Sequence, residues 1–143
     1  MPTLPSLVQL NQIIAQITAP AFLLGAVAGF VAVLIGRMNR IIDRSQILNA
    51  IGDDEGARAH LKADVPRLIR RAKLLNTAIL LCTISAIITS LLVIVAFATA
   101  MFNLQHEYGV AVLFMLALGF FTASLFCLAL EVRIALNDLD HFR

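Results

Sequence analysis

The sequence APAFLLGAVAGFVAVLIGRMNRIIDR, residues 19–44, is an apolar run that ends abruptly in a cluster of charges. Residues 19–36 carry no charged side chain, and Arg37, Arg40, Asp43 and Arg44 follow within about two helical turns. A helix of about 20 apolar residues crosses a bilayer, and a basic cluster marks the point where it leaves the membrane. The stretch therefore predicts a transmembrane helix that ends near Arg37.

The composition of the whole chain extends this prediction. Of the 143 residues, 60% are hydrophobic and 14% are charged, whereas a soluble domain is about half apolar and a quarter charged. Uncharged apolar runs also occupy residues 74–102 and 110–130. We therefore predict a single-domain, all-α integral membrane protein with three transmembrane helices, over residues 18–36, 74–102 and 110–130.

The segments between the spans have their own patterns. Residues 1–17 repeat leucine and isoleucine at helical spacing, which favours an amphipathic helix at the membrane surface over a polar collar at the mouth of a pore. Residues 37–73 keep an apolar helical face on both sides of a turn at residues 52–56, so helices one and two are predicted to extend into a cytoplasmic antiparallel hairpin. Residues 103–109 form a short outer loop, and residues 131–143 form a tail.

The positions of the basic residues predict the orientation. Nine of the 11 Lys and Arg residues lie in segment 37–73, none precedes residue 37, none lies in loop 103–109, and two follow residue 130. The positive-inside rule therefore places the N-terminus outside and the C-terminus in the cytoplasm. The basic cluster indicates contact with anionic lipid head groups and not with nucleic acid, which would require a more polar fold around it.

Small residues on two helices indicate close helix packing. Gly25 and Gly29 form a G-x-x-x-G pair that Gly36 continues, and helix two has small side chains at every fourth position, namely Ala78, Cys82, Ala86 and Ser90. Such stripes let helix backbones approach each other in lipid. Asn76, Thr83 and Ser90 recur every seven residues. Hydrogen bonds to a helix are the preferred interpretation of these polar groups, and a pore lining is the alternative.

The charges next to the membrane are predicted to form ion pairs. Glu131 is the acidic residue closest to the membrane, where an unpaired charge is costly. Counted from the membrane boundary, it can reach Arg37, Arg71 or Lys73. Asp43 can likewise pair with Arg67, Arg70 or a neighbouring arginine such as Arg40. We interpret these contacts as structural, with a charged ring at the inner mouth of a pore as the alternative.

No catalytic or metal-binding constellation is evident in the sequence. His60, His106 and His141 lie in three separate extramembrane segments, and Cys82 and Cys127 lie inside apolar runs where they fit as packing residues. We therefore predict no enzymatic activity, no metal and no cofactor.

Four motifs together resemble the domain-of-unknown-function 2721 family, which comprises small bacterial membrane proteins. They are APAFLL (residues 19–24), RMNRIIDR (37–44), RRAKLLN (70–76) and EVRIA (131–135), in this order along nearly the whole chain. The resemblance implies three helices in a bacterial inner membrane, and it brings no activity with it.

Two functions fit these features. The first is a non-enzymatic subunit of a homo-oligomer or of a larger membrane complex, which the small-residue stripes and the predicted hairpin favour. The second is an oligomeric ion channel whose path is lined by helix two. A transporter is disfavoured because the sequence has neither internal repeats nor broken helices.

The predicted orientation can be tested by cysteine labelling in intact cells. With Cys82 and Cys127 replaced, a cysteine at Gln105 is expected to react with an impermeant thiol reagent, and a cysteine at Ala57 is expected to react only after the membrane is permeabilised. The reason is the nine-to-zero difference in basic residues between the two loops. Labelling of Ala57 alone would reverse the orientation.

Overall fold

The computed structural model describes residues 7–50, 65–102 and 107–141, and these form three helices. They are α1 (Leu7–Asn49), α2 (Val65–Met101) and α3 (Glu107–His141). The predicted all-α class is confirmed for the described residues, and all three helices are long and apolar enough to cross a membrane. At 1.5 Å per residue they measure about 50–65 Å, so each exceeds the hydrocarbon thickness of about 30 Å.

The two prolines in the described helices lie at different kinds of position, one inside α1 and one at the start of α2. α1 continues without a break from Leu7 through Pro20, so residues 7–17 form its first turns and not a separate element. Pro66 is the second residue of α2, a position where the missing N–H group of proline costs no intrahelical hydrogen bond. The predicted turn at residues 52–56 lies outside the described residues.

The buried side chains repeat every seven residues on all three helices. α1 buries Val27, Leu34, Ile41 and Leu48; α2 buries two such rows, Leu68, Leu75, Cys82, Thr89 and Ala78, Ser85, Leu92; and α3 buries Ala117, Ser124 and Glu131. A sustained seven-residue repeat is typical of helices that wind around each other in a shallow left-handed supercoil. The core is therefore a long seam, and most of each helix surface faces outward.

The contacts between the helices define the topology. Arg71, Ala78 and Ser85 of α2 contact Glu131, Ser124 and Ala117 of α3, so each step of seven residues up α2 is a step of seven residues down α3. α2 and α3 are therefore antiparallel.

The first helix packs mainly on α2 and also touches α3. It meets α3 at an edge-to-face pair between Phe30 and Phe121, whose ring centroids are 5.5 Å apart, and again at Arg37 and Glu131. From the first contact to the second, the residue number increases on both helices, so α1 and α3 are parallel. α2 is the central helix, because α1 packs mainly on α2 and touches α3 only sparsely.

Candidate functional site

One buried carboxylate binds two arginines from two other helices. Glu131 Oε2 accepts a hydrogen bond of 2.8 Å from Arg37 Nε and lies 2.7 Å from Arg37 Nη2. Glu131 Oε1 accepts a hydrogen bond of 2.9 Å from Arg71 Nε. We call these three side chains the Arg37–Arg71–Glu131 cluster. It is the point where charged side chains join all three helices.

The charges of this cluster do not cancel. The Glu131 side chain is fully buried, whereas 29% of the Arg37 side chain and 19% of the Arg71 side chain are exposed. A buried carboxylate is very costly unless it is paired and hydrogen-bonded, and both of its oxygens are satisfied here. Two guanidinium groups face one carboxylate, so the cluster has a net charge of about +1.

The structure pairs Glu131 with Arg37 and Arg71, two of the three partners considered from the sequence. Lys73, the third predicted partner, is exposed. Arg40, Asp43 and Arg70 are exposed as well, and the predicted pairing of Asp43 with Arg67, Arg70 or a neighbouring arginine stays a prediction.

The small residues that the sequence singles out on α2 do not lie on one face. Ala78 and Cys82 are buried against α3, Ala86 is half-buried and Ser90 is exposed. The buried end of this stripe is therefore used inside the protomer, where Ser124 Oγ lies 2.7 Å from the carbonyl oxygen of Ala78 and 3.0 Å from Cys82 Sγ.

The glycines of α1 lie on the opposite side of that helix from its buried row. Gly25, Gly29 and Gly36 are exposed, and a methyl group added to any of them would meet no atom within 4 Å. At 3.6 residues per turn they lie about 140–180° around the helix from Val27 and Leu34. We call these three residues the glycine face.

Asn76, Thr83 and Ser90 are all exposed on the outside of α2. Thr83 Oγ1 donates a hydrogen bond of 2.8 Å to the carbonyl oxygen of Ile79, one turn earlier on the same helix. This arrangement is the common one for hydroxyl groups in membrane helices.

Sequence reasoning missed the hydrogen bonds that buried hydroxyl groups make in the interface between α2 and α3. Ser85 Oγ donates to the carbonyl oxygen of Ala117 at 2.7 Å, and Thr89 Oγ1 donates to that of Ser85 at 2.7 Å. Ser85, Thr89 and Ser124 are all fully buried. The signal that could have identified them is the seven-residue spacing of two rows on α2, Leu75–Cys82–Thr89 and Ala78–Ser85–Leu92. The row singled out from the sequence, Asn76–Thr83–Ser90, follows the first of these by one residue at each position.

The described residues offer few other features that could bind a metal ion or a ligand. No three His, Cys, Asp or Glu side chains among them are grouped to hold a metal ion, while His60 and His106 lie outside the described residues. An open groove of about 750 Å³ runs between the first half of α1 and Phe97 of α2, and apolar atoms form almost all of its wall. It suits hydrocarbon and holds no reactive group.

Comparison with known proteins finds one match. A family model described as "Protein of unknown function (DUF2721)" matches residues 17–141, which confirms the resemblance seen in the four motifs. The search of curated proteins and the search of solved structures find no match.

The cluster predicts an asymmetry between its members. Replacing Arg37 and Arg71 together by Gln strands a fully buried carboxylate, and we expect a loss of about 3–5 kcal/mol in the free energy of unfolding. Glu131→Gln is expected to cost less, because the arginines it releases are already partly exposed. Adding Glu131→Gln to the double arginine variant should recover part of its loss. The measurement is unfolding of the purified protein in detergent.

The matched control is Arg40→Gln with Arg70→Gln, which removes the same two charges from exposed positions on the same two helices. Its cost should stay near the small value that is usual for surface substitutions. An equal loss in the control and in the double arginine variant would contradict the asymmetry.

Proposed function

The chain belongs to the DUF2721 family of proteins of unknown function, and we propose that it is a non-enzymatic membrane protein that works as a subunit of a homo-oligomer or of a larger membrane complex. The observation that carries this proposal is the glycine face of α1. Its three glycines leave open space along one side of the apolar part of α1. In lipid, that shape is complementary to a second helix backbone at close range.

The small residues of α1 and α2 are used differently, and this difference supports assembly through α1. The small residues Ala78 and Cys82 of α2 already pack inside the protomer. The glycine face makes no corresponding contact there. A protomer that uses one small-residue surface internally and leaves a second one open on its outside is suited to association with another chain.

The setting of this function is the bacterial inner membrane. We place the N-terminus outside, the C-terminus in the cytoplasm, and segment 37–73 as a cytoplasmic helical hairpin next to anionic head groups. The nine basic residues of that segment support this orientation. Burial of Ile41, Leu48 and Leu68 supports the hairpin, because these residues lie on the charged side of the boundary and belong to the same apolar core as Leu34 and Leu75.

The alternative function is an oligomeric ion channel. One observation favours it: Asn76, Thr83 and Ser90 are exposed in a line on α2, so an assembly around that face would place polar groups along its axis. Against it, the Thr83 hydroxyl already bonds to its own helix. We therefore rank assembly ahead of conduction.

Assembly through the glycine face predicts a specific effect of Gly29→Leu. The oligomer that we propose for the wild type in mild detergent is expected to shift to smaller species, because a leucine would hold two backbones apart. Stability of the protomer is not expected to fall, since a Cβ added at Gly29 meets no atom beyond the backbone of its own helix, and a glycine inside a helix costs about 1 kcal/mol relative to alanine. Size-exclusion chromatography with light scattering, together with thermal unfolding, measures both.

The matched control for Gly29→Leu is Ala28→Leu, which adds a leucine to the neighbouring exposed position about 100° around the helix. It should leave the oligomer size unchanged. Unchanged oligomer size in Gly29→Leu would mean that the glycine face points to lipid, and the proposal would lose its support.

The channel alternative is tested by ion flux through liposomes that contain the purified protein. We expect no flux above that of empty liposomes. If flux is observed, and if a variant with Thr83→Leu and Ser90→Leu keeps its oligomer size but loses the flux, the channel becomes the leading function.

A further inference from the structure

The two arginines of the Arg37–Arg71–Glu131 cluster have more hydrogen-bond donors than Glu131 uses. A guanidinium group has five N–H bonds. Arg37 directs Nε and Nη2 to the carboxylate, and Arg71 directs Nε to it. Within the part of the chain that the structure describes, the remaining donors make no further bond, and no buried side-chain nitrogen lacks a partner. The free donors are therefore accessible from outside the protein.

The charge around these donors is suited to an anion. The cluster itself has a net charge of about +1, and each helix has exposed basic side chains within three residues of its member of the cluster: Arg40 on α1, Arg70 and Lys73 on α2, and Arg133 on α3. Glu131 holds both guanidinium groups in fixed positions. An incoming anion would consequently meet planar donors that are already oriented, which lowers the entropy lost on binding.

The position of the cluster indicates which anion. It lies where the uncharged runs of the three helices end. In a membrane, the end of such a run is expected at the depth of the lipid phosphate groups. On the apolar side, Val33 lies one turn before Arg37 and is 54% exposed, and Leu130 next to Glu131 is 51% exposed. A ligand bound here would have donors at its charged end and apolar side chains next to it. That combination fits a lipid and not a small soluble ion.

We propose that the Arg37–Arg71–Glu131 cluster is a binding site for the phosphate group of an anionic lipid. Arginine suits this role because its planar fork of donors matches two phosphate oxygens at once. Glu131 is the positioning residue, and the accessible N–H groups of Arg37 and Arg71 contact the phosphate. The site does not rest on the proposed self-association, because a single chain supplies all three residues.

The test is lipid binding to the purified full-length protein in detergent, measured by native mass spectrometry with phosphatidylglycerol and, separately, phosphatidylcholine. The wild type should bind phosphatidylglycerol more tightly than phosphatidylcholine. Arg71→Gln should weaken phosphatidylglycerol binding about tenfold or more, the loss expected for charge-assisted hydrogen bonds. Arg70→Gln is the matched control, since it removes the same charge from the adjacent, exposed residue. Its effect should be no more than about fivefold, the general attraction of one basic residue near a membrane.

Two further measurements separate the effect of the guanidinium geometry from that of charge, and a lipid ligand from a soluble phosphate. Arg71→Lys leaves Glu131 with two cationic partners but removes the planar fork, so it should retain the wild-type melting temperature and still bind phosphatidylglycerol more weakly than Arg70→Lys does. Inorganic phosphate in large molar excess should displace little of the bound lipid.

Three outcomes would overturn the proposal. They are equal losses for Arg71→Gln and Arg70→Gln, equal binding by Arg71→Lys and Arg70→Lys, and displacement of the lipid by inorganic phosphate in an Arg71-dependent manner. The last outcome would assign the site to a soluble phosphate. None of the three concerns the oligomer size on which the assembly proposal depends.

Discussion

A fully buried carboxylate shared by two arginines is the constraint on which the arrangement of the three helices depends. Glu131 occupies the row of α3 that also contains Ala117 and Ser124, so it projects into the seam. A charge at that position is tolerated only if partners come to it, and Arg71 of α2 and Arg37 of α1 do so. Because each arginine belongs to a different helix, this one side chain fixes the relative height of all three.

Uncharged hydrogen bonds between α2 and α3 fix the register of these two helices in the same way as the ion pairs do. All three helices are long and apolar enough to cross a membrane. In hydrocarbon, apolar burial contributes little to holding helices together, and specificity must come from packing and hydrogen bonds. Ser85 and Ser124 donate to carbonyl oxygens of the partner helix at Ala117 and Ala78, where small side chains leave the backbone accessible. With Arg71 and Glu131, these contacts form three layers spaced seven residues apart. A register shift between the helices would disrupt all three layers together.

The sequence was sufficient to predict the three helices and the position of Glu131 near the basic residues. It was insufficient to predict which faces of α2 are buried. Long uncharged runs and the charges at their ends determine span and depth, because both depend only on position along one chain. Which side of a helix faces its neighbour depends on small angular differences.

Side chains four residues apart rotate by about +40° per step, so the stripe from Ala78 to Ser90 turns from the core to the outside. A seven-residue step rotates by only about −20°, and this is why the row Leu75–Cys82–Thr89 stays buried along the seam. Asn76, Thr83 and Ser90 follow that row by one residue each, which rotates them about 100° away from it.

The central position of α2 also has a mechanical consequence. α1 and α3 both pack on α2 but contact each other sparsely, at Phe30 with Phe121 and at Arg37 with Glu131. The three-helix body is thus clamped at the charged end, while the opposite end of α1 borders the open groove beside Phe97. Among the described residues, no hydrogen bond joins the part of α1 before Arg37 to another helix, so bending of that part breaks none. We therefore expect the amplitude of its motion to increase towards Leu7 beyond the buried side chains Val27 and Leu23, whose packing adds to the stiffness that the cluster provides.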